Sequence, residues 1–292
     1  MRGGNGSKRS GYYNLRRPRL KNMLALAALA ISAYAPSPLC APRVAPRAAV
    51  AVRMMADALP ANEKCSFVLL AGGSGSRMKA DRPKQFLDLL GKPVLQWDLE
   101  LLLAIEGIDK VVLVIAPEFR EMEFLKPYVG NERLEFALPG KERQNSVENG
   151  LAGVPSDCTL VAIHDAARPL VTRDSIFKCF ADASEHDAAV LAVPCKPTIK
   201  ESEDGEFVLR TLERAKLWDV QTPQIIRPQL LRDGFQNANE KNLAVTDDVS
   251  VVELMGKKVK LTVGEYTNLK LTTPEDMIIA ETILRDRGET DA

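Results

Sequence analysis

The sequence predicts an α/β fold: a Rossmann-like, mostly parallel sheet covered by helices on both faces, with a protruding β-hairpin arm. Three observations carry that reading. Short apolar runs recur at 67–70, 111–115, 134–138, 160–163 and 188–193. Longer amphipathic stretches at 93–105, 118–128, 142–151 and 175–184 separate them. Alternating strand and helix patterns imply a parallel sheet buried on both sides. The alternation stops at Cys195, where 197–201 and 207–212, rich in Thr, Ile and Val, flank Glu203-Asp204-Gly205. Those three residues are hairpin-turn chemistry. An isolated hairpin is marginal in water, so the arm at 195–217 is expected to pack on a partner chain.

Beyond the arm, the pattern gives a helix at 228–239 and another starting near Asp247 and Asp248, whose carboxylates suit a helix N-terminus. A strand follows at 259–263, then a short extended piece at 269–271. Thr273-Pro274-Glu275-Asp276 opens the last helix, with threonine as N-cap and proline at the first helical position.

Residues 1–60 read differently. Arg16, Arg17, Arg19 and Lys21 precede an apolar run, 23–33, which ends in small residues and is too short to span a bilayer. A Pro-, Ala- and Arg-rich stretch without acids, 36–55, follows it. The two parts resemble a signal peptide and a transit peptide, the two-part leader of algae with complex plastids. A cleaved leader of about sixty residues is therefore expected, with the body, 61–292, as one domain in the plastid stroma.

The composition narrows the function. Of 292 residues, 46% are apolar and 27% charged, as in an ordinary globular protein. Net charge is zero, but ten of the 39 basic residues and one of the 39 acids lie in residues 1–60. The body thus carries 29 bases against 38 acids, about −9. Such a body argues against general nucleic-acid binding and makes any anion site local. No membrane span is expected in the mature form. The five cysteines match no zinc spacing, and with only His164 and His186 a histidine-built metal site is not expected. The cysteines of the body read as small apolar residues in a reducing compartment.

The most informative stretch is Cys65 to Lys84, CSFVLLAGGSGSRMKADRPK. Its strand breaks into Ala71-Gly72-Gly73-Ser74-Gly75, where the backbone is open to close approach and N–H groups can turn inward on an anion. Arg77 and Lys84 follow, which makes a triphosphate cradle one reading and a plain glycine turn between strand and helix the other. It is not a Walker A loop, and the third glycine of a dinucleotide fingerprint is missing. Asp165, at the end of an apolar strand, reads either as a Mg²⁺ ligand or as a helix N-cap. His164 beside it shows no acidic or nucleophilic partner and reads as a packed, hydrogen-bonded histidine. Gly140-Lys141-Glu142-Arg143-Gln144-Asn145-Ser146 opens a helix and suits either a nucleobase edge or solvent. Arg214, Thr222, Thr246 and Lys270 are scattered donors.

Together, AGGSGSRM, PKQFL, GKERQNSV, HDAARP, LERAKLWDVQTPQ, VTDDVS and NLKLTTPED resemble the 2-C-methyl-D-erythritol 4-phosphate cytidylyltransferase family, in order from about 64 to 285. The resemblance implies transfer of a cytidylyl group from CTP to methylerythritol phosphate, with Mg²⁺ and a homodimer joined through the arm. It implies that Arg77 and Lys84 stabilise the transition state. Ala71, Gly72, Gly73, Ser74 and Gly75 would hold CTP, and Gly140, Arg143 and Ser146 would lie near cytosine and ribose. Asp165 would hold the metal, and Arg168 would lie near the substrate. Arg214 and Lys270 would position methylerythritol phosphate beside Thr222 and Thr246, with Arg214 and Thr222 serving the neighbouring subunit. The chain departs from the bacterial Pro-Ala-Ala-Gly-Phe-Gly at Leu70-Ala71-Gly72-Gly73-Ser74-Gly75, and Lys141 stands where an acid is usual. The alternative is a ribitol-5-phosphate or other polyol-phosphate cytidylyltransferase.

Overall fold

A computed structural model describes residues 58–73, Met78 and residues 82–289. Residues 1–57 of the expected leader, and Ser74, Gly75 and Arg77 of the glycine stretch, lie outside the described residues. The chain opens with β1 (Cys65–Leu70), a two-stranded ribbon of β2 (Asp88–Leu89) and β3 (Lys92–Pro93), α1 (Val94–Leu103), β4 (Ile108–Val114) and β5 (Leu134–Ala137). It continues with α2 (Arg143–Ala152), β6 (Leu160–Asp165), α3 (Arg173–His186) and β7 (Ala188–Pro194). The arm strands β8 (Lys200–Glu201) and β9 (Arg210–Thr211) precede β10 (Trp218–Ile226), α4 (Pro228–Glu240), α5 (Ser250–Glu253), β11 (Lys260–Val263) and α6 (Pro274–Asp286).

Among the described residues, seven strands form one sheet in the order β11-β7-β10-β6-β1-β4-β5. All neighbours are parallel except β10, which runs antiparallel to both β6 and β7. Alternation along β1 and β6 sorts the core onto two faces. Phe67, Leu69, Leu160 and Ala162 face α1 and α3, where they pack on Leu95, Leu99, Ile176 and Phe180. Val68, Val161 and Ile163 face the other way, toward Val147, Leu151, Leu231 and Phe235 of α2 and α4. Gly150 lets α2 lie against the sheet, since a Cβ there would come 2.3 Å from Val68 Cγ1. Both faces are therefore covered, as a parallel sheet requires.

From β1 the chain steps outward to β4 and β5, then crosses back to add β6 on the other side of β1. That reversal is a topological switch point, and crevices open at the strand carboxyl ends there. Leu70 and Asp165, the last residues of β1 and β6, sit side by side in the ladder. Two sequence-distant segments thus meet by topology alone.

Several elements differ from expectation. The stretch 118–128 is not an α-helix but two 3₁₀ segments, Pro117–Phe119 and Glu123–Tyr128. Pro127 inside the second removes a donor that an α-helix would need. β10 carries no apolar run at its start, and Pro223 lies within it, so its sequence does not read as a central strand. The peptide Thr222–Pro223 is cis. The helix expected from Asp247 is the single turn α5, and the Asp247 carboxylate just ahead of it accepts from Ser250 N–H at 3.0 Å. Residues 269–271 join no sheet, although Leu271 N–H donates to Ala167 O at 2.7 Å. The arm forms a hairpin, but its strands are shorter than the expected 197–201 and 207–212: only Lys200 with Thr211 and Glu201 with Arg210 pair. Asp204 closes its turn by accepting from the N–H groups of Glu206 and Phe207.

Among the described residues, no helix is long and apolar enough to cross a membrane. The four described cysteines are free thiols: Cys65 and Cys179 are buried, and Cys158 and Cys195 partly so.

Candidate active site

At the switch point lies a cleft of about 420 Å³, bordered by Gly72, Gly73, Lys84, Gly140, Arg143 and Lys270 among others. The volume suits a small organic ligand. Its floor is the glycine turn that follows β1. Ala71 N–H donates to Val114 O at 2.9 Å, which continues the ladder by one residue. A Cβ on Gly72 would come 2.7 Å from Pro139 Cβ, so glycine is what lets the turn pass beneath the loop after β5.

Gln85, nearly inaccessible to solvent, holds this turn from behind. Its side-chain amide donates to Ala71 O at 2.6 Å and to Gly73 O at 3.1 Å. Those two bonds fix the carbonyls of Ala71 and Gly73 at the cleft border. The only sequence signal for Gln85 is its position next to Lys84 in PKQFL.

Asp165 stands at the end of β6 with its carboxylate largely buried. Lys270 Nζ donates to Oδ2 at 2.6 Å, and Arg143 Nη2 lies 3.2 Å from Oδ1. Burial alone would raise the Asp165 pKa, but Arg143 and Lys270 outweigh it and hold the carboxyl well below the usual range. The group is thus an anion at neutral pH. Arg143, at the first position of α2, also donates two bonds to Asp248, at 2.8 Å and 2.7 Å. Asp248 is a residue the sequence reading gave to a helix terminus; here it fixes the arginine. The paired acids in VTDDVS were its only sequence signal.

The remaining candidates are distributed as follows. Lys84 borders the cleft and donates to Leu271 O at 2.8 Å, beside Lys270. Ser146 borders it too, accepting from Gly140 N–H at 2.9 Å and donating to Glu142 O at 3.2 Å. Those bonds set the shape of the loop before α2. Arg168 does not border the cleft; it donates to Asn268 O at 2.7 Å and Val220 O at 3.3 Å. Thr222 is buried, with Oγ1 accepting from Asp165 N–H at 3.2 Å. Thr246 is exposed on the segment before α5. Arg214 lies at the root of the arm, donating to Lys196 O at 3.1 Å, and does not border this cleft.

His164 is fully buried, as expected of a packed histidine, but it does have an acidic partner. Nε2 lies 3.3 Å from Oδ1 of Asp98 in α1, and Nδ1 lies 2.9 Å from Thr222 Oγ1. Asp98 lies 66 positions away in the chain, so no local pattern announces the pair.

A mostly parallel sheet with a glycine turn, two lysines and a buried carboxylate at its switch point is the arrangement of an α/β nucleotidyltransferase. Residues 65–286 match the family of 2-C-methyl-D-erythritol 4-phosphate cytidylyltransferase. The chain belongs to that family. A rice protein named as the chloroplastic member is 46% identical over 224 residues, 76% of this chain and 75% of its own length. A member from Caldanaerobacter subterraneus is 41% identical over 223 residues, 75% of this chain and 98% of its own. The crystal structure of 4-diphosphocytidyl-2C-methyl-D-erythritol synthase from Anaerococcus prevotii superposes with a TM-score of 0.68 at 27% identity, covering 76% of this chain and 99% of that one.

Proposed function

We propose that this chain transfers the cytidylyl group of CTP to 2-C-methyl-D-erythritol 4-phosphate and releases pyrophosphate. The observation that carries the reading is the cationic cleft at the switch point, where Lys84, Lys270 and Arg143 border the same space as Gly72 and Gly73 of the glycine turn. An acceptor phosphate oxygen attacks the α-phosphorus, a new P–O bond forms, and the bond to the bridging α–β oxygen breaks. The electron pair leaves on pyrophosphate. The attacking oxygen is already ionised near neutral pH, so no general base is required. Among the described residues, none that borders the cleft is a histidine.

The chain's own work is alignment and charge compensation. The glycine turn, with Ser74 and Gly75, receives the triphosphate, and Lys84 with Arg77 compensates the charge that builds at the α-phosphorus. Gly140, Arg143 and Ser146 shape the nucleoside side. Lys270 faces the acceptor phosphate, with Thr246 nearby and Arg168 holding the walls. Arg214, remote from its own cleft, serves the cleft of a second copy.

Asp165 fits Mg²⁺ as a single carboxylate ligand, since it is ionised and the cleft leaves room for phosphate oxygens and water to complete an octahedron. When bound there, the ion would neutralise phosphate charge.

The arm supports a homodimer because Phe207, Val208 and Leu209 stand exposed on it, a costly apolar surface for a lone chain. A plastid location, reached through a leader over 1–60, rests on the leader's composition and on the chloroplastic rice relative. The test of function is pyrophosphate release from CTP with methylerythritol phosphate or ribitol 5-phosphate as acceptor. Turnover with the first and not the second is expected. The reverse would identify the polyol-phosphate alternative.

A further inference from the structure

Asp98 is a carboxylate with no exposure, and its Oδ2 has no hydrogen-bond partner. Such a group costs stability unless it does something specific. Its other oxygen starts a chain of three hydrogen bonds that ends on the main chain of Asp165. Asp98 Oδ1 faces His164 Nε2 at 3.3 Å, His164 Nδ1 faces Thr222 Oγ1 at 2.9 Å, and Thr222 Oγ1 accepts from Asp165 N–H at 3.2 Å.

The polarity of this chain follows from counting hydrogens. Asp165 N–H can only donate, so Thr222 Oγ1 accepts there. If His164 Nδ1 also donated to Thr222, the buried hydroxyl would face two donors and no acceptor for its own hydrogen. With Nδ1 as acceptor, the hydroxyl donates to it, Nε2 carries the proton, and that proton points at an Asp98 oxygen. Every hydrogen then meets an acceptor. The geometry also divides the work between faces. His164 and Asp165 are consecutive on β6, so one side chain enters the α1 face while the next enters the cleft beside α2.

We propose that Asp98, His164 and Thr222 form a positioning relay which holds the main chain at Asp165 and so aims its carboxylate at the phosphates, with His164 fixed as the Nε2–H tautomer. None of the three touches the reacting atoms. Asp98 acts through His164, His164 through Thr222, and Thr222 through the Asp165 amide. In this relay Thr222 serves its own subunit's site. The inference rests on the role given to Asp165 above.

The chain has only two histidines, and His186 is partly exposed on α3, so the signals are easily told apart. In the ¹⁵N-histidine spectrum of the full chain, His164 is expected to carry its proton on Nε2 and to show Nδ1 as a hydrogen-bonded acceptor. A proton on Nδ1 overturns the relay. For catalysis, Asp98→Leu, which removes the acceptor that asparagine would keep, is expected to lower kcat about 10-fold or more while the KM for CTP stays within about twofold, the scale on which outer partners of a site act. Unchanged kcat overturns the proposal. Where Asp98→Leu fails to fold, Thr222→Ser and Thr222→Val decide. Serine keeps the hydroxyl and is expected to keep most of kcat, whereas valine, of the same shape, is expected to lose it. Equal activity in the two overturns the relay. A wild-type chain that turns over neither acceptor refutes the proposed function instead, and the tautomer still reports on the hydrogen-bond chain.

Discussion

Arg143 binds two carboxylates at once, and replacing it with methionine removes the charge but keeps much of the length. Asp248, whose side chain is 1% exposed, then stays in the core without a counter-charge, while Asp165 keeps Lys270. Breaking a buried ion pair from one side costs ~3–5 kcal/mol. Arg143 itself is 36% exposed at the cleft mouth, so water reaches the vacated space and the lower end applies, about 3 kcal/mol. For a folded body of roughly 230 residues, that lowers Tm by about 6–12 °C. The assay is thermal unfolding of the full chain followed by circular dichroism, with Arg143→Met, Asp248→Leu and the double variant. Each single variant is expected to melt well below wild type. The double variant, which leaves no orphaned charge between those two positions, is expected to recover at least half the loss. A single variant melting within about 2 °C of wild type, or a double variant no better than the worse single, would refute the reasoning.

Three further outcomes follow from the same geometry. Lys84→Ala and Arg77→Ala are each expected to lower kcat about 10²-fold or more while shifting the CTP KM far less, and steady-state kinetics with near-normal turnover in either would remove its role. Gln85→Glu keeps the shape but withdraws both donors from the carbonyls of Ala71 and Gly73, so kcat/KM for CTP is expected to fall ~10–100-fold. A change under about twofold would mean the turn holds itself. Asp165 has a lowered pKa in the folded state. Its pairing therefore stabilises the fold above the unfolded value, about 3.9, and that stability fades as pH falls through the folded value. Lys270→Met weakens the lowering, so its acid-unfolding limb is expected at higher pH than wild type; an unmoved limb would contradict the assignment.

Much of the fold is legible because parallel strands buried on both faces need continuous apolar runs, and β1, β4, β6 and β7 have them. β10 is not legible for the complementary reason. Gln221, Thr222 and Gln224 are buried polar residues, and each finds its partner only once the sheet exists: Glu265 O for Gln221, Asp165 N–H for Thr222, Val249 N–H for Gln224. The site divides in the same way. Lys84, Lys270, Asp165 and the glycines announce themselves as charges or open backbone next to strand ends. Gln85, Asp98 and Asp248 do not, because each acts on a neighbour that lies far off in the chain or behind the cleft wall. The arm is readable from its Glu-Asp-Gly turn.

The glycine turn and Lys84 are expected to receive the triphosphate together. A crystal of the protein with CTP and magnesium tests it most directly. Phosphates lying along residues 71–84, with Lys84 Nζ within hydrogen-bond reach of them, are expected. Phosphates bound elsewhere, with that turn empty, would contradict it.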